Sequence, residues 1–91
     1  MGTEEVIAKI EIIPDGVDVD LAELEVECKS LLSKHGEVVG KEIKPMAFGM
    51  KSLTLMVIFK AGFGGLEPVE DELSKLEGVS RAEVIDVRKL M

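Results

Sequence analysis

The chain has 91 residues, 46 % of them apolar, and a formal net charge of −7, enough for one domain that buries roughly 60–65 % of its unfolded surface. Its one cysteine, Cys28, excludes an internal disulfide and any zinc site built from several thiolates. The acidic balance argues against a nucleic-acid partner, because phosphate affinity comes mostly from Lys and Arg, and no apolar run approaches the roughly 20 residues that span a bilayer.

Met1-Gly2-Thr3-Glu4-Glu5 carries neither the basic start nor the apolar middle of a signal peptide. The chain is therefore expected to be a single cytoplasmic domain over residues 1–91. Asn, Gln, Trp and Tyr are all absent beside abundant Glu and Lys, a composition compatible with a heat-adapted source.

Val6, Ala8, Ile10 and Ile12 alternate with Ile7, Lys9, Glu11 and Ile13, the pattern of a first strand with one buried face. Pro14-Asp15-Gly16 ends it. Asp20 is placed to cap a helix, with Glu23 as the reciprocal partner of a capping box. Leu21, Leu24, Cys28, Leu31 and Leu32 then form one apolar helical stripe, and Gly36 is expected to close the helix in a left-handed conformation. Cys28, set among these positions, reads as a core thiol. His35 in the last turn reads as a cap or solvated side chain.

Glu37–Lys44 is expected to be a charged edge strand with Val39 and Ile43 on one face. Pro45-Met46-Ala47-Phe48-Gly49 follows, too irregular for a strand and unusually apolar for a solvated loop. Leu53–Phe59 contains only Thr54 as a polar residue. Being apolar on both faces, it should be a central strand.

The glycine-rich segment Ala61-Gly62-Phe63-Gly64-Gly65 reads as a loop. Leu66–Glu77 is a second helix, with Pro68 in its first turn and Leu66, Val69, Leu73 and Leu76 as its stripe. Glu67, Glu70, Asp71 and Glu72 match the helix dipole there, and Gly78 is the expected C-cap. In the last strand, Val79–Val87, Ala82 and Val84 share one face by strict alternation, and Ile85 and Val87 the other. The slip in phase between Val84 and Ile85 suggests a bulge or a strand end crossing an edge.

The order strand, helix, strand, strand, helix, strand gives an α+β, ferredoxin-like βαββαβ fold, a four-stranded antiparallel sheet with both helices on one face. That plan hosts many functions. RNA recognition would need aromatic platforms in a basic surround, but there are three Phe and an acidic chain. There is no Cys-x-x-Cys, no Gly-Lys-Ser/Thr phosphate loop and no recognisable catalytic triad.

Four features together resemble the translation elongation factor 1-beta family of archaea and the C-terminal exchange domain of its eukaryotic counterpart. They are Pro45-Met46-Ala47-Phe48-Gly49, Gly64-Gly65-x-Glu67, Glu77-Gly78-Val79, and the ending Val84-x-Asp86-Val87-Arg88-Lys89-Leu90-Met91. The resemblance implies a guanine-nucleotide exchange factor for elongation factor 1-alpha that performs no covalent chemistry of its own. GDP, GTP and Mg²⁺ would belong to the partner GTPase, leaving this chain without cofactor or metal.

By the same resemblance, a cation near the C-terminus would reach the partner's magnesium and phosphate region. Lys89 matches that cation, and Arg88 competes for the role. Leu90 beside them, and Pro45, Met46 and Phe48 in the hairpin, would touch the partner. Glu67, Glu70 and Asp86 could steer the approach to a basic patch. A monomer is expected. Phe48 has a second reading, as a plug over the end of the sheet. The fold alone would also suit a regulatory module binding a small molecule near Asp15-Gly16, or an assembly module.

Overall fold

A computed structural model describes residues 5–60 and 67–90 of the chain. In order these form β1 (Glu5–Pro14), α1 (Leu21–Leu32), β2 (Gly36–Pro45), β3 (Lys51–Lys60), α2 (Glu67–Ser74) and β4 (Val79–Leu90). The strands make one sheet in the order β2-β3-β1-β4, every neighbouring pair antiparallel. This is the expected ferredoxin-like plan. The Ala61–Gly65 loop and the Leu66 helix start lie outside the described residues.

Side chains directly opposite in an antiparallel ladder share a face, which sorts the sheet into a core face and an opposite face. Ala8, Ile10 and Ile12 of β1 and Leu53, Leu55, Val57 and Phe59 of β3 are fully buried on the core face, against Leu24, Cys28 and Leu32 of α1 and Val69 and Leu73 of α2. β3 is buried on its other face too at Ser52 and Thr54, because it runs between β1 and β2 as its apolar run implied.

The Asp20 carboxylate accepts the Ala22 amide at 2.9 Å and caps α1. Among the described residues Glu23 makes no reciprocal bond, so only half of the capping box forms. Gly36 departs from expectation. The cap is Ser33 in right-handed geometry, and Gly36 opens β2. A Cβ there would sit 2.4 Å from the Ile58 carbonyl oxygen and 3.0 Å from a Phe59 ring carbon. Close approach of two strands, and not a left-handed turn, demands this glycine. Gly78 does take the left-handed conformation, at φ 90°, but α2 ends at Ser74, so Gly78 closes the turn into β4 and not the helix as expected.

β4 carries the bulge that the phase slip suggested. Ile10 pairs with Val84 but Lys9 pairs with Asp86, leaving Ile85 as the extra residue. A second shift leaves Ser80 unpaired between Val79 and Arg81. After the first bulge Val87 lies opposite buried Ala8, so it returns to the core face. β2 is bulged at Val39, and its Gly40 lets the Met56 methyl lie over the backbone, 2.8 Å from where a Cβ would stand.

Candidate functional site

The β2–β3 hairpin closes through the turn Met46–Met50. Pro45 pairs with Lys51, and the Met46 amide donates to the Met50 carbonyl at 2.7 Å. Phe48 has φ 63° and ψ 29°, left-handed geometry that costs a side-chain-bearing residue roughly 1–2 kcal/mol. Gly49 follows at φ 76°. Burial does not offset the strain, because Phe48 is 95 % exposed and covers nothing. The plug reading of Phe48 is therefore corrected. An outward, strained aromatic beside half-exposed Met46 has the chemistry of a docking knob.

A groove of about 350 Å³ lies beside this turn. Gly49 and Lys51 line it on one side, and Gly16, Val17 and Val19 of the β1–α1 connection with Leu21 at the start of α1 on the other. It adjoins the Asp15-Gly16 position considered for a small ligand. Val17 is exposed and lines this groove with Gly49.

The C-terminal cations occupy the other end of the sheet. Lys89 lies opposite Val6, which lies opposite Phe59; eight positions along β3, Lys51 leaves the Phe48 turn. At the strand rise this is a separation on the order of 25 Å, within a molecule 48 Å long. The predicted contact residues thus form two patches: Pro45, Met46 and Phe48 at one end, and Arg88, Lys89 and Leu90 at the other.

Arg88 and Lys89 also point to opposite faces. Arg88 pairs with Ile7 on the opposite face, where its Nε lies 3.3 Å from the Asp86 carboxylate. Lys89 shares the core face with Val6 and is exposed. A single site on a partner can admit one of them.

Several charged groups turn out to be structural. The Glu70 carboxylate accepts the Val84 amide at 2.7 Å, beside the bulge; its role was hidden in the sequence because an acid in a first turn already suits the helix dipole. The bulge itself was the available signal. His35, in the turn after α1, ties that turn to α2 through Nε2, 3.0 Å from the Glu72 carboxylate. Glu25 accepts from Lys41 of β2 at 2.8 Å and from Lys29 at 2.9 Å, and these two lysines, Lys41 foremost, hold its carboxyl below the ordinary range. Among the described residues no three His, Cys, Asp or Glu side chains gather to hold a metal, and no helix is long and apolar enough to cross a membrane.

Residues 7–90, both patches included, match the EF-1 guanine nucleotide exchange domain. Elongation factor 1-beta of Methanothermobacter thermautotrophicus is 40 % identical over 87 residues, covering 96 % of this chain and 98 % of the relative. Its counterpart in Methanococcoides burtonii is 39 % identical over 83 residues, or 91 % and 93 % of the two chains. That of Staphylothermus marinus is 34 % identical over 86 residues. The chain belongs to the EF-1 guanine nucleotide exchange domain family.

Proposed function

We propose that this protein promotes GDP release from elongation factor 1-alpha so that GTP can bind, with Lys89 as the exchange-promoting cation. The observation that carries this reading is the family match over residues 7–90, which takes in both the Phe48 turn and Lys89. Phe48, Met46 and Pro45 grip the GTPase at one end of the sheet while β4 presents Lys89 and Leu90 at the other.

The physics of the step is electrostatic. A GTPase holds GDP through a phosphate-binding loop and Mg²⁺, a hard cation that depends on its oxygen ligands. A lysine ammonium brought into that region repels Mg²⁺ and competes for those oxygens, an effect that strengthens as water is excluded. The factor accelerates exchange only if it binds the nucleotide-free GTPase more tightly than the GDP-bound form; equal affinity shifts nothing. No covalent bond is made or broken, and the nucleotide and Mg²⁺ remain the partner's. Arg88, held by Asp86 on the other face, plays a lesser part.

The test is release of a fluorescent GDP from the cognate GTPase under excess unlabelled nucleotide. Acceleration by catalytic amounts of this protein supports the reading, and an unchanged release rate overturns it.

A further inference from the structure

Strict alternation along β4 from Ala82 and Val84 would send Asp86 and Arg88 to the core face, and Val87 and Lys89 to the opposite one. The bulge at Ile85 reverses that assignment, so that Lys89 joins Val6 on the core face and Arg88 joins Ile7 on the other. One residue of register therefore decides which cation faces which way. β4 is an edge strand and is bulged here, and both features leave backbone groups in need of partners. Here the Val84 amide is taken by Glu70, reaching from α2 at 2.7 Å in a part-buried position. A carboxylate acceptor makes this bond stronger than a neutral one, and Glu70 is itself tied into its helix, its carbonyl accepting from the Ser74 hydroxyl at 2.8 Å.

We propose that Glu70 is a positioning residue for nucleotide exchange: its bond to the Val84 amide pins the Ile85 bulge and so fixes the face on which β4 presents Lys89. The proposal rests on the reading of Lys89 given above. Without the clamp, the segment after Val84 can slide by one residue, which carries Lys89 to the other face and brings Arg88 in its place.

The test compares wild type, Glu70→Ala, Glu70→Gln, Lys89→Ala, and Glu70→Ala combined with deletion of Ile85. GDP release from the partner GTPase is followed against factor concentration, and the Val84 amide is followed by hydrogen exchange. Glu70→Ala is expected to expose the Val84 amide and to lower the maximal release rate roughly 10- to 100-fold, up to the scale on which a misplaced functional group costs rate. Glu70→Gln retains an acceptor oxygen and should recover most of it. Deleting Ile85 should also rescue Glu70→Ala, because a regular ladder with Val84 opposite Ile10 and Asp86 opposite Lys9 keeps Lys89 on its present face without a clamp. A slow Lys89→Ala with a Glu70→Ala of wild-type rate would overturn the positioning role alone. Failure of both rescues would also overturn it, leaving only a general loss of charge or fold. A Lys89→Ala of wild-type rate would instead overturn the reading of Lys89.

Discussion

Phe48 and Lys89 stand at opposite ends of one sheet, separated by the run of β3 from Lys51 to Phe59. Groups this far apart contribute independently unless the partner couples them, so their effects on binding and rate should add. Phe48→Ala should raise the factor concentration needed for half-maximal exchange and leave the maximal rate nearly unchanged. Lys89→Ala should do the reverse. Because Phe48 is 95 % exposed, its truncation should move unfolding free energy by no more than about 0.5 kcal/mol. A double variant whose losses fall well short of the sum would show that both side chains act at one place.

Glu25 ties the edge strand β2 to α1, its side chain 12 % exposed between the half-exposed Lys29 and Lys41. Its carboxyl is held below the ordinary value, first by Lys41 and then by Lys29. A depressed carboxyl stabilises the fold fully above its unfolded value, about pH 4.3. That contribution is lost as the pH falls through the lower folded value. Glu25→Gln should therefore cost at most about 1 kcal/mol at pH 7, with wild type and variant converging under strong acid. Denaturant titrations at the two pH values measure this, and a gap that persists in acid would contradict it.

Cys28 is fully buried in α1, and burial, aided by the neighbouring Glu27 charge, pushes its thiol up to about 12. The thiolate is the reactive form. At pH 8 a thiol reagent should label the native protein only as fast as it opens, and at once in denaturant. Rapid labelling of the folded protein would place Cys28 at an accessible surface.

Hydrophobic periodicity made most of the fold legible. The alternation Val6, Ala8, Ile10, Ile12 located a strand with one buried face, and the largely apolar Leu53–Phe59 run a central one; the two are neighbours at the centre of the sheet. Gly36 was misread because sequence shows that a side chain is missing without showing why. A left-handed turn and a close strand both call for glycine. Glu70 was hidden similarly, a dipole-matched acid that is also the partner of a distant amide. The candidate site was less legible still. Neighbours in sequence suggest neighbours in space, yet Arg88 and Lys89 take opposite faces as adjacent strand residues must, and the bulge decides which of them shares the core face. The hairpin and the C-terminus each looked like contact surface, but only strand pairing reveals that they lie at opposite ends of the sheet.

The most direct measurement is the rate of fluorescent GDP release from the partner GTPase at saturating factor, for wild type, Lys89→Ala and Arg88→Ala. Lys89→Ala is expected to lose most of the acceleration while still binding the GTPase, with Arg88→Ala close to wild type. A fully active Lys89→Ala, or a loss confined to Arg88→Ala, would contradict the role given to Lys89.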